Sequence, residues 1–163
     1  MAVADFLDEQ ALRHQLVTVA RRMNGSGLNQ GTSGNLSARI EAGLLVTPSS
    51  LPYEQMEADD LVALDLSGQP LLKQQRRPSS EWRLHADVLS CRPEAMAVLH
   101  CHPIHATALA CHDRAIPAFH YMVAVAGGDE IRCAPYATFG TKELSDNVVK
   151  ALEGRSACLL ARH

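Results

Sequence analysis

The sequence predicts a single α/β domain with a mixed, largely antiparallel central sheet flanked by helices. Three observations carry this expectation: helical and strand-like periodicities alternate along the 163 residues, neither a linker nor an internal repeat interrupts them, and 47% of the residues are hydrophobic. A chain of this length buries about 70% of the surface its unfolded form exposes, so one core suffices.

Asp5 can cap a helix over residues 6–23, where Phe6, Leu7, Ala11, Leu12, Leu16, Val19, Ala20 and Met23 recur at helical spacing. Gly25-Ser26-Gly27 stops it. Residues 36–40 and 44–47 are short β-type runs joined by Glu41-Ala42-Gly43 in a hairpin pattern, after which Pro48 and Pro52 impose a loop. Residues 61–66 form a third apolar run, closed by the Ser67-Gly68-Gln69-Pro70 turn. From Ser79 a helix places Trp82, His85, Ala86 and Leu89 on one face and must end before Pro93. Residues 95–101 read as a strand and 103–110 as a short helix with Pro103 in its first turn, before Ala115-Ile116-Pro117 breaks the pattern. Residues 121–140 are apolar and Gly-punctuated but follow no period. Thr141 caps a helix to Leu152, and residues 156–161 form a last strand.

The 15 Lys+Arg and 18 Asp+Glu give a formal charge of −3, and Arg21-Arg22 and Arg76-Arg77 are isolated pairs. A nucleic-acid partner would call for a basic stripe, so none is expected. The amino terminus lacks the cationic start and apolar run of a secretory signal, and no segment reaches the roughly 18 apolar residues of a membrane span. A cytoplasmic protein is therefore expected. Cys91, Cys101, Cys111, Cys133 and Cys158 contain no Cys-x-x-Cys pair and read as reduced thiols, most of them small core residues.

The strongest chemical signal is Leu99-His100-Cys101-His102-Pro103. On a strand, His100 and His102 project from one face and can converge on a divalent ion, although two histidines satisfied by hydrogen bonds have the same spacing. Upstream, Ser79 and Ser80 stand at a helix start, where unpaired N–H groups and the helix dipole suit an anion or a plain cap. Glu81, beside them, is either a surface acid or, near a metal, a general base or ligand. The loops Gly31-Thr32-Ser33-Gly34-Asn35 and Thr47-Pro48-Ser49-Ser50 can bring backbone amides close to an oxyanion or be simple turns.

Five segments in order make the combination specific: Gly-Leu-Asn-Gln-Gly-Thr-Ser-Gly-Asn-Leu-Ser (27–37), Pro-Ser-Ser-Glu-Trp-Arg-Leu-His (78–85), His-Cys-His-Pro-Ile-His-Ala-Thr-Ala (100–108), Ile-Pro-Ala-Phe-His-Tyr-Met (116–122) and Cys-Ala-Pro-Tyr-Ala-Thr-Phe-Gly-Thr (133–141). They resemble the class II aldolase/adducin family. The resemblance implies that His100, His102 and His163 ligate one catalytic zinc per subunit, with Glu81 as the adjacent acid/base. It assigns Gly34, Asn35, Ser49, Ser50, Ser79 and Ser80 to a substrate-phosphate pocket, which would hold a dianion without any lysine or arginine. Tyr121 matches a tyrosine that reaches across a subunit boundary toward the aldehyde portion in a cyclic homotetramer, and Phe139 an aromatic residue of the same aldehyde pocket. The implied reaction is zinc-dependent retro-aldol cleavage of a ketose 1-phosphate, such as fuculose 1-phosphate, to dihydroxyacetone phosphate and an aldehyde. No lysine lies in these motifs to form a Schiff base instead.

Two departures from the family pattern stand out. Ser49-Ser50 occupies a loop where the aldolases usually have Thr-Gly, and the sequence stops at His163, where family members continue into a further strand and helices. The domain is thus expected to lack that strand and those helices, with His163 frayed or displaced. Within the family, a pentulose-phosphate 4-epimerase usually carries Asp where Glu81 stands, and a methylthioribulose-phosphate dehydratase is a further alternative. Against a noncatalytic adducin-like assembly module stand Glu81, His100, His102 and His163. His85 and His105 read as packing or supporting residues, and His14, His112 and His120 lack a partner pattern.

Overall fold

Alternation along the strands decides which helix covers which face of the sheet. The computed structural model describes residues 8–73 and 76–163. Its central sheet comprises β1 (Asn35–Ile40), β2 (Gly43–Val46), β3 (Val62–Leu64) and β4 (Ala97–His100), ordered β3-β2-β1-β4 with every neighbouring pair antiparallel. Leu36, Ala38, Ile40, Leu45 and Ala63 form one core with Leu16, Val17, Ala20 and Met23 of α1 (Glu9–Gly25). The intervening residues Leu44 and Val46, with Val62 and Leu64, pack on Ala86 and Leu89 of α2 (Trp82–Cys91). The sheet is thereby clasped between two helices, as a period of two in strands and of 3.6 in helices requires.

α4 (Lys142–Ala151) adds an outer layer, joining Leu144, Val148 and Ala151 to Leu84 and Val88 of α2. Thr141 caps it, its hydroxyl accepting from the Leu144 N–H at 3.3 Å. α3 (Ile104–Cys111) follows Pro103, which occupies the cap position. A separate parallel pair, β5 (Cys133–Ala134) with β6 (Leu159–Leu160), makes the fold mixed.

The hairpin falls where the sequence puts it, β3 occupies only part of the expected 61–66 run, and α2, α3 and α4 overlap their expected helices. Asp5, Phe6 and Leu7 lie outside the described residues. The last strand is only two residues long rather than 156–161 and pairs with β5; the chain turns after it at Arg162, with φ of 51°. The aperiodic residues 121–140 hold a 3₁₀ helix, Tyr121–Ala126, and β5, both too short to impose a period. The cysteines are free, as expected, but none is fully buried, and Cys91 and Cys111 at the ends of α2 and α3 are exposed.

Candidate active site

Asn35 and Ser37 are two residues apart on β1 and so share the face toward α2; Glu81 and His85 are four apart, at the cap and first turn of α2, and face β1 together. All four are buried. Ser37 Oγ lies 2.7 Å from His85 Nδ1, His85 Nε2 bonds Asn35 Oδ1, and Asn35 Nδ2 donates to Glu81 Oε2 at 2.9 Å. The helix starts at Trp82 rather than at Ser79, with Glu81 at the cap position; Ser79 lies in the turn before it, its Oγ accepting from the Glu81 N–H at 3.2 Å.

On the other flank of β1 the register sets His100 opposite Asn35. β4 ends there, so His102 is not held by strand alternation as the sequence suggested; instead its backbone N–H donates to Asn29 Oδ1 at 3.0 Å. The preceding turn depends on Gly34, with φ of 75°, where a Cβ would stand 2.6 Å from the His100 carbonyl oxygen. His100 Nε2 lies 2.8 Å from His102 Nε2 and 3.2 Å from His163 Nε2, and the three ligand atoms fall within 4.8 Å of one another.

His163 is not displaced. Ala161 N–H donates to the Ala134 carbonyl at 3.0 Å, Arg162 N–H to the Ala110 carbonyl at 2.9 Å, and Arg162 Nε to Asp113 Oδ1 at 3.1 Å, which ties this turn to β5 and to the end of α3.

Electrostatics explain why these rings tolerate one another. Burial pushes His100 down to about 4 and lowers His102, so both are neutral near pH 7, the form in which imidazole donates a lone pair. Burial also pushes the Glu81 carboxyl up, but His163, His100 and Asn35 outweigh it and hold the group at about 2. Glu81 Oε1 lies 3.2 Å from His163 Nε2 yet has no aligned hydrogen bond. Nitrogen ligands at about 2.0–2.1 Å from a tetrahedral ion stand roughly 3.3 Å apart. Three imidazole nitrogens gathered within 4.8 Å of one another beside an unsatisfied carboxylate oxygen fit a divalent cation in their midst.

A cleft of about 450 Å³ opens over this cluster. Gly34, Asn35, Ser49, Ser50, Ser79 and Ser80 all line it, as do Glu81, His102, His163 and Phe139. Ser50 sits in the left-handed region at φ of 60°, the conformation that suits the glycine common in the family. Arg162 and Tyr136 line the same cleft, the guanidinium 5.0 Å over the ring, two residues that the sequence reading did not place there. No motif singles out Arg162; only its place beside His163 hints at it. Tyr121 does not line the cleft and is 79% exposed on the 3₁₀ helix. A larger, apolar cleft of about 670 Å³ runs along β4 between α3 and α4 and meets the polar one only at the histidines.

Among the described residues, no helix is long and apolar enough to cross a membrane. Residues 14–163 match the family described as Class II Aldolase and Adducin N-terminal domain. The chain is 54% identical over 153 residues to the 5-methylthioribulose-1-phosphate/5-deoxyribulose-1-phosphate aldolase of Rhodospirillum rubrum, covering 94% of this chain and 68% of that protein. It is 46% identical over 157 residues to the L-fuculose phosphate aldolase of Escherichia coli K12, covering 96% of this chain and 72% of that one. Of solved structures, an L-fuculose 1-phosphate aldolase superposes with a TM-score of 0.89 at 39% identity, over 100% of this chain and 74% of that chain. The L-fuculose-1-phosphate aldolase of Thermus thermophilus superposes with a TM-score of 0.80 at 28% identity, over 93% and 75%.

Proposed function

This chain belongs to the class II aldolase and adducin family, and on that premise we propose that it is a zinc-dependent aldolase cleaving a ketulose 1-phosphate to dihydroxyacetone phosphate and an aldehyde. The observation that carries the reading is Glu81, buried and held ionised against three imidazoles at the floor of a cleft walled by hydroxyl and amide groups. His100, His102 and His163 would hold the ion, which when bound supplies Lewis acidity to the carbonyl and hydroxyl oxygens of the ketose. Glu81 exchanges the proton at the carbon that becomes the hydroxymethyl group of dihydroxyacetone phosphate. Tyr121, from a neighbouring subunit, exchanges the proton at the aldehyde oxygen. The loops of Gly34 and Asn35, Ser49 and Ser50, and Ser79 and Ser80 fix the phosphate, and Phe139 packs beside the aldehyde portion.

The R. rubrum relative is named for 5-methylthioribulose 1-phosphate and 5-deoxyribulose 1-phosphate, the E. coli one for L-fuculose phosphate. Those sugars differ beyond the bond that breaks, so the shared product is the first thing to assay. Dihydroxyacetone phosphate is expected from at least one of the three, with zinc bound at about one per chain. Glu81→Gln is expected to fold normally and turn over about 10² to 10⁴ times more slowly. Zinc-loaded protein that releases no dihydroxyacetone phosphate from any of them, or a Glu81→Gln variant of normal turnover, refutes the reading. Inverted stereochemistry at C4 without cleavage would identify an epimerase instead.

A further inference from the structure

Ser37, His85 and Asn35 form a buried file that ends on Glu81, and the hydrogen bonds along it arrange its protons. The Asn35 group that meets Glu81 Oε2, at 2.9 Å, is its NH₂. That leaves the Asn35 carbonyl oxygen facing His85 Nε2, which must carry a proton. His85 is completely buried, and burial pushes it down to about 3, so the ring is neutral and Nδ1 is bare. Nδ1 then accepts from the Ser37 hydroxyl 2.7 Å away. Flipping the amide would set a carbonyl oxygen against the carboxylate where water is excluded.

We propose that His85, backed by Ser37, is a positioning residue: it fixes the Asn35 amide in the one orientation that tethers Oε2 of Glu81 and leaves Oε1 turned toward the histidine cluster. The proposal rests on Glu81 being the acid/base of the proposed aldolase. His85 does not line the cleft and acts only through Asn35. Proton transfer depends on where the carboxylate stands, and a displacement of about 1 Å can cost about 10²-fold in rate.

The test compares His85→Leu, which removes both bonds at similar volume, with His85→Gln, which can donate to Asn35 and accept from Ser37. His85→Leu should lower kcat about 10²-fold. Its KM should stay within about twofold of the unsubstituted value, with zinc content unchanged, and His85→Gln should recover most of the rate. A crystal structure of His85→Leu should have the Asn35 amide or the Glu81 carboxylate turned, and imidazole ¹⁵N NMR of the unsubstituted chain at pH 7 should find His85 neutral with its proton on Nε2. An Nδ1 proton, a charged ring, a crystal in which neither the Asn35 amide nor the Glu81 carboxylate has turned, or an unchanged kcat overturns the proposal. If His85→Leu fails to fold, Ser37→Ala replaces it under the same criteria. If the unsubstituted chain cleaves no ketulose phosphate, the aldolase reading falls, while the NMR and crystal results still decide what holds Glu81.

Discussion

His85 gives the stability of the domain a dependence on pH that follows from one buried imidazole. Burial lowers it from 6.5 to about 3 in the folded chain. Below about pH 6.5 the unfolded chain takes up a proton that the folded chain refuses, so the stabilisation is complete above that pH and is lost as the pH falls toward about 3. Between pH 7 and 5 the loss from this group is about 2 kcal/mol. In metal-free protein, urea denaturation at the two pH values should therefore give a difference smaller by about that amount in His85→Gln; an equal difference would mean that His85 is protonated when folded. Arg162 invites a second single-residue prediction. It borders the cleft lined by the serine loops, and a charge-assisted bond to phosphate contributes about 1.5–3 kcal/mol. Arg162→Ala should raise KM for a ketulose 1-phosphate by about tenfold with kcat little changed. An unchanged KM would leave the phosphate to the amides and hydroxyls alone. The candidate site residues were legible where a spacing carries chemistry, as in His100 and His102, whereas Arg162 and Tyr136 reach the cleft through a terminal turn and a 5.0 Å stacking contact that no local pattern encodes.

At the scale of elements, the sheet and α2 are joined by Arg39. Its guanidinium donates to the carbonyls of Leu89, Arg92 and Ala95, at 3.1 Å for Arg92 and 3.0 Å for Ala95, around the end of α2; the Arg92 carbonyl also accepts from the Ala95 N–H at 2.9 Å. Arg39→Met keeps the stem and removes the donor to all three carbonyls, so unfolding should become easier by about 1–3 kcal/mol. Chemical denaturation reads this directly, and a loss below the measurement error would show that water replaces the guanidinium. The same elements explain what the sequence could convey. Residues 36–40 and 44–47 alternate between two buried faces, and Leu84, Val88 and Leu89 repeat at helical spacing, so β1, β2 and α2 announce themselves. β5 and β6 are two residues each and owe their pairing to the returning chain, and the 3₁₀ helix at Tyr121–Ala126 is likewise shorter than any readable period. His102 also shows the limit of a strand rule: the pair converges because Asn29 holds the chain beyond the end of β4.

For the molecule as a whole, the informative surface is the one around the 3₁₀ helix. Phe119 is 74% exposed, Tyr121 79%, Val125 71% and Met122 is likewise exposed, a run of large apolar side chains that an isolated chain leaves in water. Tyr121 stands outside its own cleft, so a role in catalysis requires a second subunit. A closed, symmetric assembly that buried this segment would cover the apolar run and deliver Tyr121 to a neighbour's site in one step. Val125→Asp should then shift the sedimentation of the protein toward the monomer and abolish turnover, while Tyr121→Phe should stay assembled and lose about 10²-fold in rate. The sharper measurement mixes the two defects. Glu81→Gln and Tyr121→Phe subunits, unfolded together and reassembled at equal ratio, contain sites with an intact Glu81 from one chain and an intact Tyr121 from the next, about a quarter of the total in a random ring. Activity should rise from near zero to about that fraction of the unsubstituted enzyme. If the mixture is no more active than its two components, Tyr121 does not act across a subunit boundary, and the exposed segment must be explained by something other than the aldehyde chemistry.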